Sequence, residues 1–290
     1  LALVWLAAAV VAWAVLLRRA LVSPASRGGE VRRRRDAMLP ARDDRRGPDA
    51  LAARAVLRRS LRYWTGDPRY VSAMLGAVAA PVVIVLLLAT VVDAPAAVAL
   101  AMGPLMAGTI AWGRHNDLAF DGSVLWMHVV AAVPGRADRL GRVLATVAWA
   151  APATAAVSLV VAWVGGRPDL APASLGASLG VLGVGLAVSA VLSPLFPYPV
   201  PAAGENPYSA QVGSLGASML AQLVTSGATL VACAPVLVLY GLALWWEPDL
   251  VVAVLLAGLG TGAGAVVLGV RLGGQVYDAR SRRVLTRLGS

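Results

Sequence analysis

The chain has 290 residues, 59% of them hydrophobic and 14% charged, with a formal net charge of +10. Its apolar residues fall in runs of about 17–22, long enough to cross a hydrocarbon core roughly 30 Å thick. That excludes a soluble enzyme, predicts an integral membrane protein and gives no reason to expect a nucleic-acid partner. All 25 basic residues are arginine, and isoleucine occurs only at Ile84 and Ile110, the usage of a GC-rich, bacterial genome.

Seven apolar spans are expected, at about 1–17, 71–92, 95–113, 143–165, 172–192, 215–246 and 249–270. In lipid each must satisfy its own backbone, so helices are predicted. Runs such as "PVVIVLLLATVV" (81–92) lack the alternation of a β-barrel. The fold class is therefore all-α: a polytopic transmembrane bundle of about seven helices, with amphipathic helices on its cytoplasmic side. Its parts are a transmembrane helix (1–17), a cytoplasmic arginine-rich linker (18–70), a six-helix membrane domain (71–270) and a basic tail (271–290).

The first span opens at Leu1 without a basic stretch before it, so it is not read as a signal peptide, and further residues are expected upstream. In the linker, 22–48 is dense in charge, with "RRRRD" (32–36). "DALAARAVLRRSLRYW" (49–64) then reads as an amphipathic helix capped by Asp49. Leu57, Leu61 and Trp64 form its apolar face, and Arg54, Arg58 and Arg62 a parallel stripe. Such a helix lies in the membrane interface against anionic lipid; a cytoplasmic partner is the other reading.

Between the third and fourth spans stands "RHNDLAFDGSVLWMHVV" (114–130), with both histidines of the chain. Its spacing matches no compact metal motif, so no metal site and no catalytic residue are assigned. Asp121 is expected to cap a short surface helix over 122–130, with Leu125, Val129 and Ala132 on one face and "VPG" (133–135) as its stop. "RADRLGR" (136–142) then opens the fourth span, with Asp138 and Arg142 paired at i, i+4. The spans themselves are expected to hold no buried acid or base, which argues against an ion-coupled carrier.

Gly176 with Gly180 and Gly258 with Gly262 place small residues at i, i+4, a pattern for close helix contact. The loop 193–218 has five prolines and no arginine. It reads either as a solvated loop or as a rigid docking surface. Cys233 is the lone cysteine and lies in an apolar run, so it forms no intrachain disulfide.

Arginine positions give the orientation. Segments 18–70, 113–142 and 271–290 carry 24 of the 25, and all fall on one side if each span crosses once. The positive-inside rule puts that side, and the C-terminus, in the cytoplasm of a bacterial plasma membrane. The short turns near Asp93, Arg167–Asp169 and Glu247–Asp249 then face outward.

"NDLAFDGSVLWMHVVAAVPGRADRLGRVLA" (116–145) resembles the cytoplasmic loop of actinobacterial ABC-2-type transporter permeases, as do "NPYSAQVGS" (206–214) and "YDARSRRVLTRL" (277–288). The likeness covers about residues 60–290, the C-terminal half of a two-half permease. It implies the membrane subunit of an ABC exporter that works with a separate ATP-binding subunit, and with a missing N-terminal half or a second permease copy. The chain has no lysine and hence no P-loop, so ATP and Mg would belong to that partner and no cofactor to this chain. On this resemblance Asn116, Asp117, Asp121 and Gly122 are the motif positions that couple to the partner, with Arg136 and Arg142 as weaker ones. The alternatives are a membrane enzyme acting on lipid or polyprenyl substrates, which would depend on His115 and His128, and a non-transporting scaffold.

Overall fold

The structure is a computed structural model and describes residues 48–92, 96–201, 205 and 215–288. Its elements are helical: α1 (Pro48–Gly66), α2 (Pro68–Thr90), α3 (Met102–Trp112), α4 (Leu125–Val130), α5 (Gly135–Val164), α6 (Ala171–Leu195), α7 (Leu215–Trp245) and α8 (Val251–Leu288). Short 3-10 segments of three to six residues precede α3, α4, α6 and α8, and no strand occurs among the described residues. The all-α membrane bundle is thus present.

Among the described residues five helices are long and apolar enough to span: Pro68–Leu88, Gly135–Val164, Pro168–Leu195, Leu215–Trp245 and Val251–Val284. The expected count of about seven is not confirmed, since the first expected span, 1–17, lies outside the described residues. The apolar helix Val98–Trp112 is shorter. At 1.5 Å per residue it measures about 22 Å, below the thickness of a hydrocarbon core. The expected first span, the linker up to 47, the Asp93 turn and the "NPYSAQVGS" segment lie outside the described residues.

α6 is the central helix: 67% of its most apolar stretch is buried inside the protein, against 17–28% for the other spans. The others turn large apolar side chains outward, such as Leu87, Val160, Val231 and Leu256. In water such a surface would aggregate; in a bilayer it is the lipid face. The fold is a multi-pass helical membrane protein.

Glycine sets the contact of α6 with α8. A Cβ on Gly180 would stand 3.0 Å from the Gly258 Cα, and one on Gly258 would collide with the Gly176 carbonyl. The i, i+4 pairs read from sequence therefore do bring the two backbones together.

α1 packs differently from its expected pattern. Its buried residues are Ala53, Val56, Ser60 and Trp64, whereas Leu57 is half-buried and Leu61 is exposed. The buried stripe follows i, i+3, i+7, i+11 and rests on α5 rather than on lipid. The reason is Gly141: a Cβ there would stand 2.7 Å from the Ala53 carbonyl oxygen and 2.7 Å from the Val56 Cβ. Small residues on both helices permit this approach, which a leucine face would not. Arg54, Arg58 and Arg62 stay on the exposed side. Asp67 ends the connection by capping α2, its carboxylate accepting from the Arg69 backbone N–H at 2.9 Å, with Pro68 at the first helical position.

Candidate functional site

α2, α5 and α7 run away from the loop 113–134, and α3, α6 and α8 run back towards it. The first turns of α5 therefore meet α1, that loop and the ends of α6 and α8 at one end of the bundle. Here lie Asp117, Asp121 and Asp138, all buried, with Arg139, Arg142 and the half-buried Arg59. A buried charge is tolerated only when paired and hydrogen-bonded, and each of these has partners on another segment.

Asp117 Oδ1 accepts from Arg139 Nη1 at 3.0 Å and from Ser193 Oγ of α6 at 2.7 Å. Its backbone carbonyl accepts from Arg142 Nη1 at 3.0 Å. Asp138 takes Arg139 Nε at 3.0 Å and Arg142 Nε at 3.0 Å, which realises the expected i, i+4 pair. Asp121 Oδ2 binds Arg142 Nη2 and, at 2.8 Å, Arg59 Nη2 of α1. Burial would raise the Asp117 pKa, but the guanidinium groups of Arg139, Arg142 and Arg114 and the Ser193 hydroxyl hold it below the ordinary carboxylate range.

Both histidines are engaged. Arg59 Nη1 donates to His128 Nε2 at 2.6 Å, so that nitrogen carries no proton. His128 Nδ1 approaches Asp138 Oδ1 to 3.0 Å without hydrogen-bond alignment. His115 Nδ1–H donates to the Trp112 carbonyl at 2.6 Å, and Nε2 accepts from the Tyr198 hydroxyl at 2.8 Å. Desolvation lowers the His115 pKa, and neighbouring Arg114 lowers it further, against the opposing pull of the Trp112 carbonyl and Asp117.

Around the ion pairs the backbone is tied down. Asn116 Nδ2 donates to the Tyr198 carbonyl at 2.8 Å, which holds the start of the proline-rich loop against "RHND". In that part of the loop, 196–201, Pro197 is buried, Pro199 is exposed and the others are half-buried. Arg69 reaches the carbonyls of Phe120 and Pro201 at 3.0 and 2.9 Å. Arg114 sits over the rings of Trp64, Tyr70 and Phe120 at 5.1, 4.7 and 5.4 Å, a cation–π enclosure. From α8, the Asp278 carboxylate accepts the Gly135 N–H at 2.7 Å, satisfying a donor at the start of α5.

The expected residues divide clearly. Asp117, Asp121 and Arg142 meet in one cluster and Asn116 is bonded to Tyr198 beside it; all four are buried. Gly122 turns the chain with φ +50° and ψ −132°, a conformation open to glycine. Arg136 is exposed and outside the cluster. Asp121 does not cap the short helix: its Oδ2 binds Arg59 and Arg142, and its Oδ1 has no hydrogen-bond partner. Leu125 and His128 form the buried side of α4 instead of Leu125, Val129 and Ala132; Ala132 leaves it at φ +48°. Asp138, Arg139 and Arg142 lie at the entry of the fourth span, ahead of the expected apolar stretch 143–165. α5 begins at Gly135, so Asp138, Arg139 and Arg142 belong to its first two turns.

Arg59, Arg114, Arg139 and Ser193 complete the cluster and were not singled out by sequence. Arg59 had a usable signal: it sits beside Ser60 and one turn after Val56, on the flank of the buried stripe. Ser193 had none, since its partner is 76 residues away.

The outward side of α4 carries Trp126, Met127 and Val130, which are 52%, 44% and 75% exposed. The space among Arg114, Asp117, Arg139 and Arg142 is about 10 Å³, no more than a water fills. The arrangement is thus a fastening that presents a short apolar helix, not a substrate pocket. No family model, curated protein or solved structure matches the chain.

Proposed function

We propose that this chain is the membrane-spanning permease subunit of an ATP-driven ABC exporter, moved by a separate ATP-binding subunit. The carrying observation is the charge cluster, which fastens α4 and α1 to the ends of α5, α6 and α8. A push on the exposed Trp126, Met127 and Val130 would pass through Asp121, Arg142 and Asp138 into α5, and through Asp117 and Ser193 into α6. Coupling of this kind needs a contiguous physical link that both sites bias. The likeness of 116–145 to permease loops supports the reading. The orientation that goes with it is an arginine-rich cytoplasmic end in a bacterial plasma membrane.

The neighbouring reading frame should encode a P-loop ATPase. Co-expressed with it, the chain should retain that subunit on purification and stimulate its ATP hydrolysis. Trp126→Ala combined with Met127→Ala should weaken retention about tenfold, a loss of about 1.4 kcal/mol, with the melting temperature of the chain unchanged. Equal retention and equal stimulated hydrolysis would remove α4 as the coupling element.

A further inference from the structure

Between α6, α7 and α8 lies a groove of about 320 Å³, walled by apolar residues that include Val188, Leu192, Ala228, Ala232, Gly269 and Leu272. It is separate from the charge cluster. Small residues on all three helices make the concavity: alanine on α7, Ala187 on α6, and Ala265 and Gly269 on α8. Its extent along α6 is from Val184 to Leu192, about 12 Å at 1.5 Å per residue. That is close to half of a hydrocarbon core of about 30 Å, the depth of one leaflet.

The register of α6 with α8 shows what stands at its mouth. Gly269 packs on Ala187 and Gly273 on Ala190, and two turns beyond Gly273, Arg280 Nη1 donates to the Leu195 carbonyl at 3.5 Å. Arg280 is exposed, and Arg283 follows it one turn later, also exposed. A one-leaflet apolar groove thus ends beneath an exposed guanidinium at the arginine-rich end. Anionic headgroups attract such arginines, and acyl chains fill such grooves.

We infer that the groove holds one acyl chain of an anionic phospholipid from the surrounding leaflet, with its phosphate on Arg280. This does not rest on the transport reading. The occupant differs from annular lipid in being stoichiometric and selective by headgroup.

The test uses the full chain, reconstituted in vesicles of equal phosphatidylglycerol and phosphatidylcholine, extracted in mild detergent and weighed by native mass spectrometry. One phosphatidylglycerol per chain should stay bound, preferred over phosphatidylcholine about fivefold, the effect of one arginine at an anionic surface. Arg280→Gln should bring the two lipids to equal retention. Ala232→Trp fills the groove from an exposed position and should abolish retention of both. Melting temperatures in lipid-free detergent should match for all three proteins, which separates lipid loss from misfolding. Unchanged retention in Ala232→Trp, or unchanged preference in Arg280→Gln, would overturn the assignment. So would a native dimer that Ala232→Trp splits with no lipid lost, since the groove would then be the seat of a second copy.

Discussion

At the scale of single residues, the cluster joins charges whose removal is costly in proportion to their burial. Taking one partner from a buried pair leaves the other charged and desolvated, at about 3–5 kcal/mol. Asp121→Asn removes a carboxylate shared by Arg59 and Arg142, and should lower stability by about the lower end of that range in detergent unfolding. Asp169→Asn breaks the exposed pair with Arg167, which should leave the melting temperature unmoved. Equal effects of the two would mean that the cluster does not fasten the fold. Acid should act first at His115, whose folded pKa lies below the ordinary 6.5. Its contribution is intact above 6.5 and is lost as pH falls from there through the lowered folded value, because the unfolded chain takes up the proton first. Asp117 acts in the same direction at lower pH, intact above the ordinary 3.8 and lost as pH falls below it. Stability should therefore decline from about pH 6.5, and His115→Gln should remove that first decline. A decline of the same size in the variant would assign it elsewhere.

At the scale of elements, the clearest case is α1. Its existence was legible, because apolar and basic positions alternate with helical period. Its packing was not. The sequence offers two candidate faces, and the leucine face is the more hydrophobic, yet α1 buries the alanine–valine–serine face. The choice is made by Gly141, 88 residues beyond Ala53, which lets the backbones approach. No local pattern carries that. Likewise α4 was readable as a short helix, but the face it buries is decided by the attachment of Asp121 and His128 to α1 and α5. The glycine contact of α6 and α8 was readable, since small residues at i, i+4 are themselves the signal. Gly141→Ala should push α1 off α5 at a cost of about 1–3 kcal/mol. Trypsin should then cut faster at Arg54, Arg58 and Arg62 as the helix opens locally. Gly260→Ala meets open space within its helix and should be neutral or stabilising by about 0.5–1 kcal/mol. If both variants resist trypsin as the parent does, α1 is not held at Gly141.

At the scale of the whole molecule, charge and packing divide the bundle into two unlike ends. One end has the ion-pair cluster, the outward arginines of α1 and the basic end of α8. The other has short proline-marked turns, with exposed Trp163, Trp245 and Trp246 suited to a lipid–water boundary. Its Arg167 lies 2.8 Å from Asp169, so that end carries little net positive charge. By the positive-inside rule the arginine-rich end is expected in the cytoplasm, and single cysteines can test that. Cys233 is buried in the bundle, so Cys233→Ala gives a background with no other thiol. In it, Glu247→Cys should react with a membrane-impermeant maleimide in intact cells. Arg282→Cys should react only after the membrane is opened. Glu247 and Arg282 are both exposed at opposite ends of α8, so failure to label is not explained by burial. The reverse pattern would place the charge cluster and α4 outside the cell. A cytoplasmic ATPase could not then reach them, and the permease reading would fall with the orientation.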